Sequence, residues 1–204
     1  MITIIDYGCG NIRAFLNVFH RLNKEVVVAT EPSQIEDASR IILPGVGAFD
    51  YVMRSFNQSG LRDIVEKKVL IEKVPVLGIC AGMQILADSS DEGTEKGLSW
   101  IKGQVKLFDV SKIPYVTKVP HMGWNQIRPN DPQLFSGIED GARYYFVHSY
   151  YFEEEIPSNS IAVSNYGLDF TSAVRNENIY GVQFHPEKSH INGIKLLKNF
   201  AELC

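Results

Sequence analysis

The stretch VPVLGICAGMQIL, from Val74 to Leu86, passes from a short apolar run into a helix-like pattern across Gly78-Ile79-Cys80-Ala81-Gly82. Strand passing into helix in this way, repeated along the first half of the chain, argues for a parallel sheet covered by helices. The two glycines let neighbouring backbone pass close to the bend without Cβ clashes. The same order of elements is that of a nucleophile elbow, a tight turn that projects one side chain into a cleft beyond the strand ends. A thiol at a helix N-terminus also meets the positive end of the helix dipole, which favours thiolate. A free cysteine is equally at home as a small buried hydrophobe, so this stretch alone leaves both uses open.

The residues before it repeat the unit. ITIID (Ile2 to Asp6), EVVVA (Glu25 to Ala29) and RIILPG (Arg40 to Gly45) are strand candidates. Between the first two, Ile12, Phe15, Leu16 and Phe19 fall on one helix face. Helices are expected from Phe49 to Phe56 and from Leu61 to Ile71. After the elbow the pattern changes: GQVKLF, YYFVHSYYF, SIAVSN, TSAVRN and IYGVQF are strand-like with little helix between them. They are expected to add antiparallel strands to the parallel core. A last helix carries Ile194, Leu197, Phe200 and Ala201 at helical spacing. With no repeat, linker or low-complexity tract, residues 1–204 are expected to form one α/β domain.

Composition matters mainly for what it excludes. The net charge of -4 offers nothing to nucleic acid or an anionic membrane. The N-terminal MITIIDYGCGN has no positive leader, and no apolar run approaches the roughly 20 residues of a membrane helix. Cys9, Cys80 and Cys204 are too scattered for a disulfide framework or a zinc site. A cytoplasmic protein with no metal and no cofactor is the expectation.

A second motif gives the thiol a partner. YGVQFHPEKS ends a strand on His185, then Pro186, then Glu187. In an extended chain, residues two apart project to the same side, so Glu187 should reach the imidazole, with Pro186 restraining the bend. A base held in one tautomer by a carboxylate is the logic of the catalytic triad, applied here to a cysteine. Acyl transfer also needs donors for the developing oxyanion. The N–H of Val46 in LPGVGAF, between Gly45 and Gly47, is one candidate; that of Ala81, just after the nucleophile, is the other.

GICAGMQ together with FHPEKS resembles the triad (class I) glutamine amidotransferases. PGVGAF, PHMGWN, FVHSYY and GVQFHPEKS resemble one branch of them, the glutaminase subunit of imidazole glycerol phosphate synthase in histidine biosynthesis. The likeness runs from DYGCGN to LLKNF. It implies a flavodoxin-like, doubly wound mixed sheet. It also implies that Cys80 attacks the side-chain amide of glutamine through a γ-glutamyl thioester, while His185 moves the proton and Glu187 orients it. Gly47, Gln84, Glu92, Ser149 and Tyr150 match glutamine-binding positions, with Glu92 receiving the ammonium group and Ser149 and Tyr150 the carboxylate. The partner implied is a cyclase subunit with a (β/α)₈ barrel, in a heterodimer. It would take the ammonia through a tunnel and make imidazole glycerol phosphate and the aminoimidazole carboxamide ribotide by-product. Asn11, Trp124, Asn125 and Lys188 match positions facing it, Lys188 as an ion-pair donor.

Three other readings are open. A cousin of this subunit supplies glutamine nitrogen to an amidino sugar in surface polysaccharide biosynthesis, and DYGCGNIRAFLNVFHRLN, NYG and EKSH suit it equally well. A cysteine hydrolase or peptidase on a similar sheet would leave Gln84, Glu92 and PHMGWN unexplained. A flavodoxin-like binding module would make the elbow and triad accidents.

Overall fold

The computed structural model describes residues 1–114 and 117–204. The chain opens with β1 (Ile2–Ile5), α1 (Ile12–Arg21), β2 (Val26–Ala29), β3 (Arg40–Gly45), α2 (Phe49–Gln58), α3 (Arg62–Glu66), β4 (Val76–Cys80) and α4 (Ala81–Gln84). The second half holds β5 (Ser89–Ser90), β6 (Gly103–Leu107), β7 (His121–Gln126), β8 (Arg128–Pro129), β9 (Arg143–His148) and β10 (Tyr150–Glu154). It ends with β11 (Ser160–Asn165), β12 (Asp169–Asn176), β13 (Ile179–Val182) and α5 (His190–Leu203).

The principal sheet has the order β2-β1-β3-β4-β13-β12-β10-β6-β5, with β11 and β8 branching from β12. Its first five strands are parallel. They read as apolar runs because both faces are covered. Ile5, Ile41, Leu43 and Val76 face α2 and α3, where Phe49, Val52, Met53, Phe56 and Val65 pack. Ile2, Ile4, Ile42, Leu77 and Ile79 face Phe15 and Phe19 of α1 and Leu196, Leu197 and Phe200 of α5. The sheet is thus doubly wound, with antiparallel strands β12, β10 and β6 continuing it. β7 and β9 form a separate antiparallel pair.

Three details depart from expectation. IYGV returns as a parallel strand: β13 lies beside β4, with Val182 opposite Ile79. The helix expected from Leu61 to Ile71 is α3 followed by one wider, π-type turn over Lys67–Ile71. That turn brings Lys68 and Val69 together onto the buried face and leaves Ile71 in solvent. The helix after Cys80 is a single turn. The carbonyls of Ile85 and Leu86, which a longer helix would use, instead accept the N–H groups of Leu98 and Trp100 at 2.8 and 2.9 Å. So short a helix has little dipole, and the sulfur must draw its stabilisation from elsewhere.

Candidate active site

β4 delivers Cys80 to the carboxyl edge of the sheet with φ 56° and ψ −115°, a left-handed conformation that a non-glycine residue adopts only under constraint. The constraint is backbone packed on backbone. A Cβ on Gly82 would overlap the carbonyl oxygen of Leu43 on β3, and one on Gly78 would overlap that of Gly82. With no side chains between them, β3 and β4 bring the loop after Gly45 against the start of α4. Cys80 is 9% exposed. Gln183 Nε2 donates toward its sulfur at 3.7 Å, and the carbonyl oxygen of Val147 lies 4.0 Å away on β9.

His185 comes from just beyond β13. Its N–H donates to the carbonyl of Tyr145 at 2.9 Å, which pins it to β9. Its own carbonyl accepts Ser189 Oγ at 2.6 Å, and that hydroxyl accepts the N–H of Tyr145 at 3.0 Å. Nδ1 of His185 meets Oε1 of Glu187 at 2.9 Å. The expected contact forms, but not along an extended chain: Pro186–Lys188 is a 3₁₀ turn that folds the carboxylate back beneath the ring. Both side chains are buried, and Oε2 of Glu187 has no partner among the described residues. Burial alone would push the imidazole pKa down. Hydrogen bonds and charge from Cys80 and Glu187 outweigh it and raise the value to about 10. An imidazolium therefore stands beside the sulfur at neutral pH.

These groups open on a cavity of about 250 Å³. Val46, Gly47, Cys80, Ala81, Gln84, Glu92, Ser149, Tyr150 and His185 all line it, with Pro120, Val147 and His148 completing the wall. Val46 stands at the mouth, 53% exposed. Glu92 is tied down by the N–H of Phe49, which donates to Oε2 at 2.8 Å. Gln84 spends its amide nitrogen inside the protein, donating to the carbonyl of Tyr150 at 3.2 Å and to Gln183 Oε1 at 3.0 Å. Ligand pockets for drug-sized molecules start at about 300 Å³, so this one suits an amino acid better than a peptide.

Asn11, Trp124, Asn125 and Lys188 lie outside the cavity. Trp124, 39% exposed, stacks on His190 with ring centroids 5.1 Å apart. The ammonium of exposed Lys188 lies 5.8 Å above the ring of Tyr145, which also meets the Trp124 ring edge-on. Exposed Asn11 precedes α1, which packs against the Pro186–Lys188 turn. Asn125 donates to the carbonyl of Asn165 at 2.8 Å and meets His121 Nε2 at 3.2 Å.

Three residues at the site went unread in the sequence: Gln183, His121 and His148. The carbonyl of Tyr150 can only accept, so His148 Nδ1, 2.7 Å away, is a donor. His148 Nε2 must then accept from His121 Nδ1 at 2.9 Å, and His121 Nε2 from Asn125. One carbonyl thus sets both tautomers. Burial lowers His121 to about 4. Burial, together with the neighbouring charge of His121, lowers His148 to about 3. Both are neutral at pH 7. The available signal was a polar residue inside each apolar strand run, PHM, YYFVHS and IYGVQF.

Comparison with known proteins matches residues 3–203 to the family described as Glutamine amidotransferase class-I. The chain is 54% identical to the "Imidazole glycerol phosphate synthase subunit HisH" of Bdellovibrio bacteriovorus, with all of both chains covered. It is 49% identical to the subunit of the same name from Leptospira interrogans, again over the whole of both. Among solved structures, a glutamine amidotransferase superimposes with a TM-score of 0.75 at 19% identity, covering 100% of this chain and 98% of that one. PurLQS from Thermotoga maritima does so with 0.70 at 18%, covering 98% and 96%. These two likenesses speak for the fold.

Proposed function

The chain belongs to the class-I glutamine amidotransferases, and from that premise we propose that Cys80, His185 and Glu187 carry its glutaminase chemistry. It is the glutaminase subunit of an imidazole glycerol phosphate synthase, an enzyme of histidine biosynthesis. The amidino-sugar alternative is not favoured, since whole-chain identity at this level runs to subunits of that synthase. As a synthase subunit it has a partner. The hydrolase step is this chain's, and the lyase step that completes the synthase reaction is the partner's.

In the proposed mechanism the Cys80 sulfur attacks the amide carbon of glutamine. The oxyanion takes the N–H groups of Val46 and Ala81. His185, charged at neutral pH, gives its proton to the departing nitrogen, and ammonia leaves behind a γ-glutamyl thioester. The imidazole, now neutral, takes a proton from water, which attacks the thioester and releases glutamate. Glu187 touches no substrate atom; it holds the imidazole in place and favours its charged form. Glu92 receives the α-ammonium group, while Ser149 and Tyr150 hold the α-carboxylate through backbone groups; Gly47 also lines the glutamine site, and Gln84 stands behind it.

The partner in this proposal is a cyclase with a (β/α)₈ barrel. At neutral pH free ammonia is mostly ammonium, which is no nucleophile, so the product must pass on before it meets water. Asn11, Trp124, Asn125 and Lys188 form the face toward that barrel. Residues 1–204 act as one glutaminase domain in the cytoplasm; among the described residues no helix is long and apolar enough to cross a membrane.

The observation that supports this most is the convergence of remote segments on one amino-acid-sized cavity, with His185 hydrogen-bonded to Glu187 beside Cys80. Its test is Cys80→Ala in complex with the partner. Glutamine-dependent turnover should vanish, while turnover from added ammonium salts continues. Glutamate release at the parent rate would rule Cys80 out as the nucleophile.

A further inference from the structure

Gln183 is wholly buried, one residue beyond β13, and its amide lies between Gln84 and Cys80. A carboxamide can sit either way round, and here the choice matters. One orientation offers the sulfur an N–H donor, the other a carbonyl oxygen that would repel a thiolate. The surroundings admit only the first. The carbonyl of Tyr150 has no proton to give, so the amide end of Gln84 that faces it at 3.2 Å must be Nε2. That same nitrogen lies 3.0 Å from Gln183, so the facing atom of Gln183 must be Oε1. Its Nε2 is then turned to Cys80 Sγ, at 3.7 Å.

The sulfur needs such a donor. α4 is too short to supply a helix dipole, and the other close backbone group, the Val147 carbonyl 4.0 Å from Sγ, is an acceptor. His185, which shares a hydrogen bond and charge with Cys80, must surrender its proton to the leaving nitrogen. From that moment until the thioester is cleaved, the donor that stays with the sulfur is Gln183.

We propose that Gln183 is a catalytic residue of the glutaminase: its Nε2–H donates to the Cys80 sulfur, stabilising its negative charge before attack and again when the thioester breaks. Gln84 and the Tyr150 carbonyl are the positioning groups that fix which way the Gln183 amide points. This rests on Cys80 being the nucleophile.

The test reads the sulfur directly. The full chain is treated with iodoacetamide at pH 7, and Cys80 modification is followed by peptide mass, apart from that of Cys9 and Cys204. A hydrogen bond to a charged group is worth enough that Gln183→Met should slow alkylation by about 10- to 100-fold. In the complex, kcat for glutamine should fall by a similar factor with KM little changed. Gln84→Met should slow alkylation in the parent but add nothing in the Gln183→Met background, because it acts only through that amide. If Gln183→Met folds and Cys80 reacts at the parent rate, the proposal is wrong, whatever Cys80→Ala has shown about the nucleophile.

Should the buried substitution prevent folding, the parent chain still decides. In ¹⁵N-labelled protein the Gln183 side-chain amide resonance should move when Cys80 is alkylated. That of Asn199, whose amide donates to the carbonyls of Leu134 and Ser136, should not. An unmoved Gln183 resonance overturns the proposal.

Discussion

The two walls of the cavity are built on different principles. On the elbow side, β3, β4 and α4 meet with glycine against backbone, and position is set by excluded volume. On the opposite side His148 of β9 and His185 beyond β13 face the cavity, backed by His121 of β7, Gln183 and the Tyr150 carbonyl of β10, and direction is set by hydrogen bonds. The first wall fixes where the sulfur is. The second fixes which atoms around it donate and which accept. A glutaminase needs both, since a well-placed thiol facing only acceptors would be a poor nucleophile.

The contrast is broken most severely at Gly82. An alanine there would drive its Cβ into the carbonyl of Leu43, a backbone atom in the middle of the parallel sheet that cannot move aside. Gly82→Ala should cost about 4 kcal/mol or more, the range reserved for severe core defects, and should leave little folded protein in thermal or chemical denaturation. If it unfolds within about 1 kcal/mol of the parent, the elbow side is compliant, and the two walls differ less than their contacts suggest.

The polar wall should fail gradually instead, and with pH. In the unfolded chain His121 and His148 take up protons near pH 6.5, whereas in the fold they stay neutral down to about 4 and 3. Between those values the unfolded state binds more protons, so stability is present above about pH 6.5 and lost as pH falls. The slope contributed is up to about 1.4 kcal/mol per pH unit for each ring. His185 has the opposite sign: raised to about 10, it contributes stability that is full below about pH 6.5 and lost on the alkaline side. Unfolding free energies measured from pH 7 to 4 should therefore fall more steeply for the parent than for a His121→Gln, His148→Gln variant, even though the variant starts lower. Equal slopes would mean that the pair is not held neutral.

What could be read in the sequence follows the same division. The elbow is local: Gly78, Cys80 and Gly82 state their geometry within one stretch, and so do His185 and Glu187. The parallel core was legible because β1, β3 and β4 are apolar on both faces. The length of α4 was not, because the chain that claims its would-be carbonyls arrives from Leu98 to Trp100. Nor was Gln183. In IYGVQF it looks like one more strand residue, and its meaning depends on β13 running parallel beside β4, a pairing between segments far apart in sequence. The His121–His148 pair depends likewise on the register of β7 with β9, in which the two face each other.

The smallest effect asks whether the elbow's strain belongs to one residue or to the whole turn. At φ 56° and ψ −115°, Cys80 holds a conformation that costs an L-residue about 1–3 kcal/mol and glycine almost nothing. Replacing Cys80 by glycine removes that cost, but glycine also gains freedom in the unfolded chain, which offsets roughly 0.5–1 kcal/mol of the gain. The proper reference is Cys80→Ala, which keeps the Cβ while losing the sulfur and its hydrogen bonds. Cys80→Gly should then be more stable than Cys80→Ala by about 1 kcal/mol in urea unfolding, although both lack glutaminase activity. If the alanine variant is equally stable, residue 80 is not where the strain resides. Gly78 and Gly82, by letting the backbone close in, would then have relaxed the turn as a whole, and sterics on the elbow side would set position without storing energy.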